Sequence, residues 1–243
     1  MQDKPSKRLE RQFDIIVSND NHSIIKDFIP PVVSENSLEW RNDVGRSDLR
    51  SIISGKYFGY CSQYLAFFKN RSYQFLFNDY SLGRLRYSFN RQGKLLSYNL
   101  FWYPCPFNVE FVQHIRDNQL DTMEYIDAID NHEKILLENI LLRTPIRLDY
   151  DSEYNDMNYR YHPLSHVHLQ NKDTRMKMEK VLSVYGYYLF ILENCYPYEY
   201  RHIEESSIDI IRKLDFETKH WLKISSESKS ENGVEIKTMI SRS

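Results

Sequence analysis

The sequence predicts an α+β protein: an antiparallel sheet meander with helices inserted between its strands and two long C-terminal helices packed on it. Aromatic-rich segments with strand-like alternation recur at 72–78, 84–90 and 94–103, and the turns between them contain Asp79, Gly83 and Gly93. Two further strands are predicted at 146–151 and 164–169. Apolar residues with helical spacing predict helices at 176–194 and 204–222. Strands followed by helices are typical of α+β proteins.

The remaining segments complete a single predicted domain. Shorter helices are predicted at 9–17, 48–54, 107–115 and 132–142, and Pro30-Pro31 favours an extended connector over 20–37. The segment 57–68 is rich in aromatic residues and fits either a strand or a helix. We predict one α+β domain over 1–224, with its sheet core at about 57–170 and its helical part at 171–224. Ser, Glu and Lys dominate 225–243, which predicts a flexible tail.

The composition excludes several classes of protein. The net charge of −2 gives no overall field that would attract nucleic acid or an anionic membrane. Contact with nucleic acid therefore needs a local basic patch, for which Arg84, Arg86, Arg91 and Lys94 are the best candidates. No apolar run approaches the length of a membrane span, and the N-terminus has no apolar signal segment. We therefore expect a cytoplasmic protein without membrane contact.

The cysteines predict reduced thiols. Cys61, Cys105 and Cys195 are far apart and form no zinc-binding spacing. Cys105 lies between two prolines with no neighbouring base, which disfavours a thiol nucleophile. In contrast, 19 Tyr and 13 Phe predict either an aromatic core or an aromatic partner surface.

A cluster of ionisable residues on the two predicted strands after Pro145 is the main candidate site. Alternation places Arg147, Asp149 and Asp151 on one face of the first strand. It places His166 and His168 together on one face of the second. If the strands pair antiparallel, both polar faces lie on the same side of the sheet. His162 precedes the second strand and is a third histidine of the candidate site.

Two kinds of chemistry fit this set of groups. Asp149, Asp151, His162, His166 and His168 could hold a divalent metal, with Mn, Mg, Zn or Fe as candidates, which would polarise a phosphoryl oxygen and activate water. Arg147 would then offset developing negative charge. Alternatively, His166 and His168 could act without metal as a general acid and base on a phosphodiester gripped by Arg147. The same alternation also describes an inert, half-solvated hairpin.

The chain resembles a known bacterial family. The runs RLDYD, HPLSHVHL and LFILENCYP, together with YPCP after the aromatic strand, resemble an uncharacterised family, domain of unknown function 2290, over about 57–198. A looser similarity is to TumE-type toxins, which carry an Arg-x-Asp strand followed by a His-rich strand. The matching residues are Arg147, Asp149, His162, His166 and His168, whereas the second carboxylate, Asp151, departs from the pattern.

These resemblances imply an accessory protein of toxin–antitoxin or anti-phage defence loci. The first hypothesis is a nuclease or related phosphodiesterase that uses the Asp/His/Arg site. The second is a non-catalytic subunit of a multiprotein defence complex, in which an aromatic surface docks a nuclease or ATPase partner. A protein partner is expected in both cases, with nucleic acid as a second candidate partner. The third hypothesis is a sequence-tolerant nucleic-acid binder that uses the hairpin from Arg84 to Lys94, which the overall acidic balance disfavours.

Overall fold

An antiparallel sheet flanked by helices forms the described part of the protein. The computed structural model describes residues 4–20, 24–42, 59–108, 141, 143–153, 163–169, 176–178 and 181–206. Within these ranges the strands are β1 (Ile25–Phe28), β2 (Val32–Val33), β3 (Ser37–Glu39), β4 (Phe75–Phe77), β5 (Leu82–Phe89), β6 (Leu95–Tyr103), β7 (Ile146–Asp151), β8 (Ser165–Leu169) and β9 (Met176–Lys177). The helices are α1 (Pro5–Ser18), α2 (Gly59–Lys69), α3 (Val184–Cys195) and α4 (Pro197–Ser206). The α+β class is confirmed.

The long strands β5 and β6 lie in the middle of the sheet. The strand order is β1-β4-β5-β6-β7-β8-β9, and every pairing is antiparallel. β3 pairs with the second half of β5 and carries β2 on its other side. The predicted meander is therefore confirmed in β4, β5 and β6. The predicted pairing of the two later strands is confirmed in β7 and β8.

One face of the sheet carries the main hydrophobic core. Side chains such as Leu85, Leu100 and Leu148 project from β5, β6 and β7 and are fully buried against α1 and α3. Tyr187 of α3 donates its hydroxyl to the backbone oxygen of Phe101 at 2.7 Å, which fixes the helix on the sheet. Because alternate residues face opposite sides, the odd-numbered residues of β6 and β7 from Asn99 and Arg147 onward point away from this core.

The opposite face is divided between an aromatic end and a polar end. α2 covers the aromatic end, where Tyr64 and Phe67 pack with Tyr103 at the end of β6. Arg84 is buried here and lies over the rings of Trp40 and Phe67, at 4.0 and 3.6 Å from their centroids. The Nε of Arg84 donates to the backbone oxygen of Ser72 at 2.5 Å. Arg84 therefore stabilises packing, and the basic patch predicted around it does not form as one surface.

Three segments differ from the sequence predictions. The predicted connector 20–37 contains β1 and β2, because two prolines still leave short extended runs on either side that can pair. The ambiguous aromatic segment 57–68 forms helix α2, since its rings pack against one end of the sheet. The helix predicted from Met176 begins at Val184, after the Ser183 hydroxyl caps its first turn, and 176–177 form β9. The sheet thus extends beyond 57–170.

Several predictions fall outside the described residues. The helix at 48–54, most of those at 107–115 and 132–142, and the tail at 225–243 are of this kind. The second C-terminal helix begins at Pro197 rather than at 204, since proline favours the first turn of a helix. Its predicted course beyond 206 also lies outside the described part of the chain. No helix among the described residues is long and apolar enough to cross a bilayer.

Candidate metal centre

The register between β7 and β8 brings the predicted site residues together. Asp149 lies directly opposite His166, and Arg147 directly opposite His168. Directly paired residues of antiparallel strands share a face of the sheet. The four side chains therefore converge on the polar end of the face that lies away from the main core.

Asp149, His166 and His168 direct three ligand atoms at one point. The Nε2 of His168 is 3.2 Å from Asp149 Oδ2, and the Nε2 of His166 is 3.8 Å from the same oxygen. The two Nε2 atoms are 2.9 Å apart. Both histidines are buried, with 3% and 5% of their surface exposed, and 15% of the Asp149 side chain is accessible. This is a compact site with limited access to water.

The separations of these atoms fit a single metal ion. Two ligands bound at about 2.0–2.1 Å to a tetrahedral zinc ion stand about 3.3 Å apart. The three observed separations of 2.9, 3.2 and 3.8 Å bracket this value. Two imidazoles with one carboxylate suit zinc, iron or manganese better than magnesium, which prefers oxygen ligands throughout. Of the predicted candidates, magnesium therefore fits these ligands least well.

A backbone carbonyl prepares His166 for metal binding. The Nδ1 of His166 lies 2.9 Å from the carbonyl oxygen of Pro163. A carbonyl oxygen only accepts, so Nδ1 carries the proton and Nε2 of a neutral His166 presents its lone pair to the site. His168 then places the proton of its own Nε2 between the two rings. For a cation to bind here, His168 would adopt its other neutral tautomer, with the proton on Nδ1 and the Nε2 lone pair facing the ion. His166 already has this form, as in metal sites whose histidines are oriented by backbone carbonyls.

Asn99 and Arg147 hold the carboxylate of Asp149 in place. The Nδ2 of Asn99, from the neighbouring strand β6, donates to Asp149 Oδ1 at 2.9 Å. The Nε of Arg147 lies 2.7 Å from Asp149 Oδ2, an ion-pair distance at which the N–H is not aligned on the oxygen as a hydrogen bond. The Arg147 side chain is 39% exposed. Asn99 therefore orients one oxygen, whereas Arg147 neutralises the oxygen that faces the histidines.

The structure does not bring every predicted ligand into the centre. Asp151 lies one row further along β7, opposite Ser97, where it is exposed and accepts the backbone N–H of Glu153 at 3.0 Å. His162 lies outside the described residues. Among the residues that the structure describes, the group of possible metal ligands is Asp149, His166 and His168.

Sequence reasoning missed Asn99. The residue lies in the correctly predicted strand at 94–103, and alternation alone would place it on the same face as Ser97 and Phe101. What could not be read from the sequence is that β6 pairs with β7 in the register that places Asn99 opposite Asp149. The one signal in the sequence that could have identified Asn99 is its polar side chain amid the aromatic residues of a central strand.

The family of the chain follows from its sequence. The model of a family described as "uncharacterized conserved protein (DUF2290)" matches residues 27–240. The chain belongs to this family. The match extends beyond the 57–198 on which the resemblance rested, and it includes the whole candidate metal centre of this DUF2290 protein. No curated protein matches the chain significantly, and no solved structure does. The family description states no activity.

The thiols lie apart from this centre. Burial raises the pKa of the Cys105 thiol to about 12 and that of Cys195 also to about 12. A thiol with so high a pKa is protonated near neutral pH and is a poor nucleophile. Both cysteines are free.

Proposed function

We propose that this DUF2290 protein is a divalent-metal-dependent phosphodiesterase of the nuclease type. The observation that carries the proposal is the convergence of Asp149, His166 and His168 within metal-ligand distance, beside a partly exposed arginine. Three protein ligands leave coordination positions free for water and substrate, which is typical of catalytic rather than structural zinc sites.

The two Nε2 atoms support metal chemistry over direct acid–base catalysis by the histidines. They face each other at 2.9 Å, so neither nitrogen is directed at a substrate. Both rings are also buried. A metal ion bound between them would supply Lewis-acid chemistry and activate water. The protein's own residues would hold the ion, through two neutral imidazoles and one carboxylate.

Arg147 links metal binding to the binding of an anionic substrate. Its guanidinium pairs with the same Asp149 oxygen that would ligate the ion. A cation on that oxygen would compete with the guanidinium and release it towards solvent, where 39% of the side chain is already exposed. The charges of Arg147 and Asp149 offset each other, so the charge of the ion remains to attract an anion. Guanidinium groups bind phosphate bidentately, which favours a phosphoryl substrate.

The biological setting of the proposal rests on resemblance. The Arg-x-Asp strand followed by a His-rich strand is similar to TumE-type toxins, which supports a role as the effector of a bacterial toxin–antitoxin or anti-phage defence system. An effector of this kind is held inactive by, or acts beside, a protein partner. The cytoplasm is the compartment in which both its partner and a nucleic-acid substrate would be met.

The alternative of a non-catalytic docking subunit receives less support. It relied on aromatic residues forming a partner surface. Among the described residues, the largest fully buried side chains include Tyr64, Tyr87, Tyr98 and Tyr187. The aromatic enrichment is therefore largely explained by the core. Tyr198 and Phe28, which are 71% and 43% exposed, are exceptions, and single exposed apolar side chains are common on protein surfaces.

Cleavage assays on the purified protein test the proposal. Metal-free protein would be incubated with labelled single-stranded and double-stranded RNA and DNA, with Mn²⁺ or Zn²⁺ added or with EDTA. We expect metal-dependent cleavage that falls by at least about a hundredfold in Asp149→Ala and His168→Ala, because each change removes a ligand. Asp151→Ala, which removes a carboxylate from the same strand outside the centre, is the matched control and should remain active.

Two outcomes would contradict the proposal. One is full cleavage by Asp149→Ala, which would separate the activity from the centre. The other is equal activity in EDTA and in Mn²⁺. Circular dichroism of each variant shows whether loss of activity reflects loss of the fold.

A further inference from the structure

A row of side chains crosses the sheet through the centre, with a cation on either side of it. Direct pairing aligns Arg86 of β5 with Asn99, Asn99 with Asp149, and Asp149 with His166. The row continues to Lys177 of β9, which lies directly opposite His166. Because directly paired residues share a face, all five side chains lie on the side of the sheet that carries the metal centre.

The two cations flank the centre at similar distances. Arg86 and Lys177 are each two strands away from Asp149. Adjacent strands are about 4.8 Å apart, so each cation starts about 10 Å from the carboxylate along the row. Both residues are exposed at the surface. Arg86 contacts Glu39 at 3.3 Å, but 47% of the Arg86 side chain is accessible, and an exposed ion pair of this kind contributes little stability.

We propose that this row binds a single strand of nucleic acid running across the strands of the sheet, with one phosphate at the metal centre and its neighbours near Arg86 and Lys177. The proposal rests on the proposed function for the central phosphate. A mononucleotide or a terminal phosphate would occupy only the centre and would gain nothing from cations about 10 Å away on both sides. Cations on both flanks therefore favour a polyanion.

An aromatic side chain beside Arg86 favours an unpaired strand over a duplex. The Trp40 ring lies below Arg86, 5.5 Å from the guanidinium, and meets Phe101 edge to face at 6.4 Å. Trp40 is only partly buried. Cationic side chains interleaved with aromatic rings are typical of surfaces that bind single strands, where bases stack and phosphates pair with Lys or Arg. Lys177, at the other side of the centre, lies on β9, the last strand of the sheet within the described residues.

Binding and cleavage by the full chain test the row separately from the centre. Fluorescein-labelled single-stranded 20-mers of oligouridylate and oligothymidylate would be titrated in EDTA at several salt concentrations, with a 20-bp duplex for comparison. Removing one phosphate contact lowers the salt slope of single-strand binding by about 0.7. We expect Arg86→Ala/Lys177→Ala to lower the slope by about 1.4 and the affinity at least tenfold. Arg91→Ala, in the β5–β6 turn away from the row, should match the wild type.

A small substrate separates failure of the row from failure of the proposed function. Hydrolysis of bis(p-nitrophenyl) phosphate requires only the centre, so the double variant should retain the wild-type rate on it while its KM for the oligonucleotide rises. Unchanged oligonucleotide affinity and salt slope in the double variant would contradict binding of nucleic acid along the row, without contradicting the metal centre. Tighter binding of the duplex than of the single strand would overturn the assignment of an unpaired strand. The protein could lack hydrolytic activity and still lose oligonucleotide binding when Arg86 and Lys177 are replaced. That result would support binding along the row and contradict only the proposed nuclease activity.

Discussion

One carboxylate oxygen of Asp149 is shared between alternative partners. Oδ2 of Asp149 faces both histidines and Arg147, whereas Oδ1 is held by Asn99. Strand alternation predicted that Arg147 and Asp149 share a face and that His166 and His168 do too. The structure confirms both and adds the pairing that joins them. Asp151 obeys the same alternation but lies one row away, because alternation fixes a face and not a distance.

Asn99 provides the sharpest test of how the centre is supported. Asn99→Ala should lower the affinity for Zn²⁺ about ten- to a hundredfold while leaving the fold intact, since it removes a hydrogen bond that orients a ligand. Isothermal titration of the apo-protein measures this change. Ser97→Ala is the matched control, because its hydroxyl bonds to Ser88 at 2.7 Å on the same face and does not touch Asp149. Equal losses in the two variants would contradict a specific role for Asn99.

Among the secondary-structure elements, the long strands of the sheet were predicted better from the sequence than helix α2 and the short edge strand β9. β5 and β6 were predicted because both alternate and are joined by a tight turn at Gly93. α2 was ambiguous because aromatic residues suit strands by propensity and helices by packing. β9 was missed since residues from Met176 onward fit a helical pattern, and only pairing with β8 makes 176–177 a strand. Lys177 was therefore assigned to a helix and not to the site face.

The contact between the sheet and α3 depends on the absence of a side chain at Gly83. A Cβ at this position would meet the Tyr187 hydroxyl at 3.0 Å and Phe75 at 3.1 Å. Gly83→Ala should therefore destabilise the protein by about 1–3 kcal/mol, because neither neighbour can move freely within the core. Urea unfolding measures the change.

Gly186→Ala in α3 is the matched control for this prediction. Its Cβ would come no closer than 3.4 Å, to the flexible Leu182 side chain, and alanine favours the helix by up to about 1 kcal/mol. We expect Gly186→Ala to be neutral or stabilising. A Gly83→Ala protein as stable as the wild type would show that α3 does not pack on the sheet as described.

At the scale of the whole molecule, the buried phenols and thiols predict loss of stability in alkali. Burial raises the pKa of Cys105 from an ordinary 9.0 to about 12 and holds the pKa of Tyr87 and Tyr187 well above the usual 10.0. The unfolded chain releases these protons first. The stabilising contribution of Cys105 is therefore complete below about pH 9 and is lost as the pH rises towards about 12.

Unfolding by urea at pH 8, 9.5 and 10.5 measures this effect. The free energy of unfolding should fall with pH, by up to about 1.4 kcal/mol per pH unit for each such group, and the urea midpoint should fall with it. The free energy of unfolding of Cys105→Ala should fall less steeply with pH than that of the wild type over the same range. A midpoint that stays constant or rises between pH 8 and 10.5 would contradict the burial of these groups.

The stoichiometry of metal binding decides whether Asp149, His166 and His168 form a metal centre. Apo-protein would be titrated calorimetrically with Zn²⁺ and Mn²⁺, alongside Asp149→Ala, His168→Ala and the control Asp151→Ala. We predict one ion per chain for the wild type and Asp151→Ala, and loss of that site in the other two variants, because each lacks one of three converging ligands. A wild-type protein that binds neither ion, or an Asp149→Ala protein that binds as tightly as the wild type, would contradict a metal centre at Asp149, His166 and His168.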